Sequence, residues 1–204
     1  MHMTHPRPGI LLDRDGTIIV DHGYVGTVDR VEFIPGAADA IAGVNRAGIP
    51  GAGVTTQAGV ARGFYGLDDV ARVHEHIAAH LAGHGARIDM FVYCPYHPAG
   101  VVEAFARSSD DRKPAPGMAR AAQAGLNLDL AASWVVGDRP EDMGLAAAIG
   151  ASGVYLGTDD LGAEGPGTDG PGVWRFPSLA AAAPFIMDRL AAAAGNYLLE
   201  RVTS

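Results

Sequence analysis

An α/β fold, a three-layer sandwich of one mostly parallel sheet with helices on both faces, is predicted by three features of the sequence. Short apolar runs rich in β-formers alternate with amphipathic segments of helical length. Several of those runs end in polar or acidic tips, which is where ligands bind in open α/β sheets. The 204 residues can bury a full core in one such domain and are short for two. One domain spanning residues 1–204 is therefore expected.

The first strand is expected at 9–13, where Gly9-Ile10-Leu11-Leu12 runs into Asp13-Arg14-Asp15-Gly16-Thr17. The chain is expected to leave extended geometry at Arg14, with Gly16 easing the turn. Residues 14–35 read as a small β-hairpin flap beside those acids. Residues 37–47 form a helix stopped by Gly48, and 49–55 a second strand whose tip is Thr55-Thr56-Gln57-Ala58-Gly59. A helix follows at 67–83, with Asp68 and Asp69 favouring its N-terminus, and then a strand at 89–94. The loop from Cys94 to Pro114 is long for a compact domain, as functional loops are, and carries Arg112 and Lys113 near its end. A helix opens at Pro116 and stops at Gly125, and a buried strand at 133–137 runs into Asp138 and Asp142. A last strand at 153–156, a mobile Gly/Asp/Pro-rich loop at 157–172 and an alanine-rich helix at 178–194 complete the chain.

A net charge of −8 and a pI near 5.3 exclude the basic footprint that nucleic acid or an anionic membrane needs. The single cysteine, Cys94, excludes an internal disulfide framework, and no stretch approaches a membrane span. With no apolar signal core ahead of the first strand, the expected compartment is the cytoplasm. Lys113 is the only lysine among the 15 Lys and Arg residues.

If the strand ends converge, Asp13, Asp15, Thr55, Lys113 and Asp138 share one pocket. Oxygen ligands with open positions suit Mg²⁺, which also explains how crowded carboxylates stay ionised. The hydroxyl and the amine are what a transferring phosphoryl group needs around its oxygens.

Asp13-x-Asp15-Gly16-Thr17, Thr55, Lys113 and Gly137-Asp138-x-x-x-Asp142, in that order, resemble the four motifs of the haloacid dehalogenase (HAD) superfamily of phosphatases. Asp21-His22-Gly23-Tyr24-Val25, Phe33-Ile34-Pro35-Gly36, Gln57-Ala58-Gly59-Val60-Ala61-Arg62-Gly63 and Arg112-Lys113-Pro114-x-Pro116-Gly117-Met118 narrow the resemblance. They are similar to the family of heptose-1,7-bisphosphate 7-phosphatases and histidinol-phosphate phosphatases, and the His-Gly-Tyr segment favours the heptose branch. The resemblance implies a Rossmann-like HAD core with no large cap domain. It implies that Asp13 is the nucleophile and Asp15 the acid and base. Mg²⁺ is implied at Asp13, the Asp15 carbonyl and Asp138, with Asp142 as an outer or water-mediated ligand. Phosphate or substrate contacts are implied at Thr55, Thr56, Gln57, Arg112, Lys113, His22 and Tyr24.

Two positions depart from that pattern. Many relatives carry a thiolate-rich zinc site in the long loop, whereas the corresponding stretches here read Cys94-Pro95-Tyr96-His97 and Ser109-Asp110-Asp111, so zinc is expected to be absent. Thr56 stands where relatives usually have asparagine.

Plainer readings stand beside these. Asp138 could instead merely cap the following helix, His22 and Tyr24 can pack a flap, and Arg62 is open between substrate contact and capping. His76, His80 and His84 read as a solvated helix face rather than a metal site, and Cys94 as a small buried hydrophobe. The C-terminal helix reads as core or a dimer face, and the expected state is a monomer acting on a small phosphorylated substrate. The substrate itself is open between a heptose bisphosphate, histidinol phosphate and another small sugar phosphate, with a non-catalytic phosphate-binding module as the outside alternative.

Overall fold

The computed structural model describes residues 5–157 and 172–202, with side chains described through residue 192. The loop expected at 157–172 lies, past its first residue and before its last, outside the described residues. Among the described residues, β1 (Ile10–Leu12), β2 (Gly51–Thr56), β3 (Met90–Cys94), β4 (Trp134–Gly137), β5 (Ser152–Leu156) and β6 (Val173–Phe176) form one parallel sheet in the order β3-β2-β1-β4-β5-β6. The helices are α1 (Ala37–Arg46), α2 (Leu67–Gly83), α3 (Gly117–Leu126), α4 (Pro140–Ile149) and α5 (Leu179–Val202).

The two cores follow from the two-residue period of β1. Ile10 and Leu12 face a layer built on Ile41 of α1, Val73 and Ile77 of α2, and Leu179 and Ile186 of α5. Leu11 faces the opposite layer, with Met118 and Ala122 of α3 and Leu145 of α4. Each such side chain is fully buried, a contribution of about 1.5–3 kcal/mol apiece. The three-layer expectation holds, and the sheet is wholly parallel. No helix among the described residues is long and apolar enough to cross a membrane.

Several expectations need correction. The flap is not a regular hairpin: within 14–35 the structure has only the isolated bridges Asp15–Ile19 and Ile19–Phe33 and a short 3-10 turn, Val28–Arg30. The cause is Arg30, whose guanidinium takes the carbonyl oxygens of His22, Gly23 and Tyr24 that a ladder would have used, while Tyr24 itself is left-handed at φ 52°. α3 ends not at Gly125 but at Asn127, which is left-handed at φ 53°, a conformation asparagine tolerates. Gly125 serves packing instead, since a Cβ there would sit 2.7 Å from Met90 Sδ. β6, beyond the strand expected to be last, pairs its Val173 with Gly153, and α5 continues to Val202. The face of α2 that carries His76, His80 and His84 stays partly open to solvent, with His84 exposed, and the Phe33 ring stacks on His80 with centroids 3.5 Å apart.

His74 of α2 lies on the buried side, stacked on Phe91, and its Nε2 has no hydrogen-bond partner. Burial, helped by the Arg14 charge, pushes its pKa from 6.5 down to about 3. The unfolded chain therefore takes up this proton first, and the stability tied to neutral His74 is lost as pH falls below about 6.5. Chemical denaturation should show about 2 kcal/mol of extra loss between pH 6.5 and 5, and His74→Phe should flatten that slope. An unchanged slope in the variant would contradict the buried, neutral state.

Candidate active site

The strand order reverses direction between β1 and β4, the place where an open α/β sheet forms a crevice beyond its strand ends. Asp13 follows β1 there and Asp138 follows β4, and the Asp13 N–H donates to the Val136 carbonyl at 2.8 Å, tying the two strand ends together. A cavity of about 550 Å³ opens at this edge. Of the residues singled out from sequence, Asp13, Asp15, Tyr24, Thr55, Thr56, Gln57, Arg112, Lys113 and Asp142 line it. Asp138 lies beside it: one oxygen from each of Asp13, Asp138 and Asp142 falls within 4.8 Å of the others.

The buried ammonium of Lys113 sits 2.9 Å from Asp13 Oδ1 and donates to Asp142 Oδ1 at 2.6 Å. Burial opposes the lysine charge, but Asp13 and Asp142 together outweigh it and raise its pKa. One ammonium does not balance three carboxylates. Burial, and then the Asp13 charge, push Asp138 up to about 6. Asp138 Oδ1 is buried with no hydrogen-bond partner. Two glycines make room for this crowding: a Cβ on Gly16, at φ 77°, would overlap the Asp138 carboxylate, and one on Gly137 would overlap that of Asp142. Asp138 is not the cap of α4. Arg139 occupies that position, and the Asp142 carboxylate, three residues into the motif, accepts the Arg139 N–H at 3.1 Å.

Asp15 is held from two sides. Arg14, wholly buried, forks onto it with Nε to Oδ2 and Nη2 to Oδ1, both at 3.0 Å, and Nη2 also reaches the Val25 carbonyl of the flap at 2.7 Å. From the other side Gln57 Nε2 donates to Asp15 Oδ2 at 3.1 Å and to Thr55 Oγ1 at 2.9 Å, while the Tyr65 hydroxyl donates to Gln57 Oε1 at 2.9 Å. Burial dominates and raises the Asp15 pKa even against Arg14.

Two sequence assignments change on this geometry. His22 does not line the cavity; its imidazole pairs with Glu32 at 2.8 Å, because the Arg30 clamp turns that part of the flap outward. Gln57 is 1% exposed and its amide is committed to Asp15, Thr55 and Tyr65 rather than free for a substrate. Arg112 lines the cavity, and its buried Nη1 has no hydrogen-bond partner. Tyr24 lines the cavity edge with its ring against Phe64, centroids 4.9 Å apart. In the long loop, Cys94 is fully buried, and His97 Nδ1 accepts the Ala99 N–H. The loop is pinned by the Val101 and Val102 amides to the Ala61 carbonyl and by Arg107 stacked 3.9 Å from the Tyr96 ring centroid.

Sequence reasoning missed Arg14, Tyr65 and the Asp21–Arg139 ion pair that ties the flap to the start of α4 at 2.5 Å. Arg14 had a signal: an arginine flanked by two acids at the end of a buried strand is itself buried, and a buried guanidinium requires a carboxylate.

The parallel sheet, the acids at its switch point and the single buried amine define a phosphoester hydrolase of the HAD type. Residues 111–167 match the HAD-hydrolase-like family model. A D-glycero-β-D-manno-heptose-1,7-bisphosphate 7-phosphatase of Yersinia pestis is 41% identical over 180 residues, 87% of this chain and 94% of that protein. One from Escherichia coli O6:H1 is 46% identical over 141 residues, 69% and 74% of the two chains. The crystal structure of the D,D-heptose 1,7-bisphosphate phosphatase of B. bronchiseptica, complexed with magnesium and phosphate, superposes with a TM-score of 0.74 at 27% identity, over 89% of this chain and 98% of that one. The chain belongs to this family of HAD-superfamily phosphatases, hydrolases of phosphate esters.

Removing Lys113 would leave Asp13 and Asp142 facing each other unpaired. Lys113→Met should therefore cost about 3–5 kcal/mol of unfolding free energy in EDTA, and adding Asp142→Asn should recover part of it. Denaturant titration checks both, and a stability unchanged by Lys113→Met would show that the pair is not formed.

Proposed function

We propose that this chain removes the 7-phosphate of D-glycero-β-D-manno-heptose 1,7-bisphosphate through an aspartyl phosphate on Asp13. The observation that carries the reading is the position of Asp13: at the strand end, against the Lys113 ammonium, two residues from a second carboxylate, Asp15, on the same cavity. The names of the Yersinia and Escherichia relatives supply the substrate class.

Asp13 attacks phosphorus, and Asp15 gives its proton to the departing sugar oxygen. Asp15 then takes a proton from the water that hydrolyses the aspartyl phosphate, so one carboxyl serves as acid and then base. Its raised pKa suits a group that must carry a proton. Lys113, the Thr55 hydroxyl and the Thr56 amide hold the phosphoryl oxygens. Arg112, with its unpaired Nη1, grips the second phosphate, which a fork of N–H donors matches.

The donors fit Mg²⁺. Three carboxylates share a space too small for their charge, and a buried Asp138 oxygen lacks a partner. Asp13, the Asp15 carbonyl and Asp138 would hold the ion, with Asp142 behind them. When bound it offsets the charge of carboxylates and phosphate and lets one anion approach another. The same reading takes residues 1–204 as one domain acting as a cytoplasmic monomer, without zinc in the 94–114 loop.

Phosphate release should be measured with and without Mg²⁺ from both anomers of heptose 1,7-bisphosphate, from histidinol phosphate and from a sugar-phosphate panel. Mg²⁺-dependent preference for the β anomer is expected, with a loss of roughly a thousandfold or more in Asp13→Asn. Faster release from histidinol phosphate would move the substrate, and no release from any substrate would overturn the reading.

A further inference from the structure

We propose that Tyr65 is a positioning residue for this site: its hydroxyl fixes which end of the Gln57 amide faces Asp15 and Thr55. The proposal rests on the reading of Asp15 as acid and base and of Thr55 as a phosphoryl ligand.

An amide side chain is nearly symmetric in shape and opposite in hydrogen bonding at its two ends. The backbone of Gln57 is fixed, its N–H donating to the Cys94 carbonyl at 2.8 Å and its carbonyl accepting from Val60 at 3.2 Å. What remains free is the final torsion, which is broad and two-fold. In the observed sense the NH₂ group serves Asp15 Oδ2 and Thr55 Oγ1 together. Thr55 has a single hydroxyl hydrogen. Because Gln57 donates to its oxygen, that hydrogen stays free for a phosphoryl oxygen. Reversing the amide would turn a carbonyl against the Asp15 carboxylate and draw the Thr55 hydrogen to Gln57, away from the substrate.

Tyr65 selects the productive sense because its own direction is fixed. The ring is packed against Gly59, and from there the phenol hydroxyl donates to Gln57 Oε1 at 2.9 Å. Tyr65 reaches this place through a slot between Gly26 of the flap and Gly59 after β2, where a Cβ on either glycine would overlap the ring. The hydroxyl is therefore aimed by close packing on both sides.

Tyr65→Phe keeps the ring in its slot and removes only the hydroxyl. With β-heptose 1,7-bisphosphate and Mg²⁺, kcat should fall about tenfold while the melting temperature stays near that of the wild type. In a Gln57→Met background the same change should cost less than about twofold, because the partner through which Tyr65 acts is gone. Equal kcat and KM for Tyr65→Phe and an active wild type would overturn the assignment alone. A full tenfold loss persisting in Gln57→Met would also overturn it, showing that Tyr65 acts by another route. A wild type that releases no phosphate would overturn the phosphatase reading and the role of Tyr65 with it.

Discussion

The site depends on one imbalance of charge: a single buried ammonium, Lys113, set among Asp13, Asp142 and the nearby Asp138. Carboxylates this close repel and would protonate unless a cation stands among them, and burial strengthens both the repulsion and its remedy. Lys113 binds the two it touches and leaves Asp138 with an unpaired oxygen. Sheet topology makes the crowding possible, since β1 and β4 are neighbours at the switch point and deliver their terminal acids to the same place. Gly16 and Gly137 remove the side chains that would otherwise stand in it.

A second constraint governs Asp15. It is held not by the cluster but by the buried Arg14 fork and by the Gln57 amide, and Arg14 also grips the flap through the Val25 carbonyl. The acid, the flap and the tip of β2 are therefore joined through Arg14 and Gln57. Asp21 and Arg139 join the flap to α4 on the other side of the cavity. The flap lacks regular secondary structure, yet each of its key positions is tied by a charged side chain, which is how an irregular segment keeps a defined shape.

Much of this was legible in the sequence because it lies in strand ends. An apolar run stopping at Asp13, Thr55 or Asp138 announces both the strand and the ligand-binding tip, and α2, expected at 67–83, begins and ends there. The flap was read wrongly because its form comes from Arg30 reaching back to three carbonyls, a contact no local pattern displays. Gly125 looked like a helix stop and is instead a packing residue beneath Met90. β6 was missed because its four residues pair with a strand laid down earlier and follow a Gly/Pro-rich stretch. Tyr65 carried no signal at all: its partners Gly26, Gly59 and Gln57 meet it only in three dimensions.

The central claim is a covalent bond between Asp13 and the transferring phosphoryl group. Quenching the enzyme in mid-turnover, reducing it with borohydride and mapping its peptides by mass spectrometry would test that claim directly. Conversion of residue 13 to homoserine, the product of a reduced aspartyl phosphate, is the predicted result. An enzyme that turns over substrate with residue 13 unchanged and the modification elsewhere would contradict it.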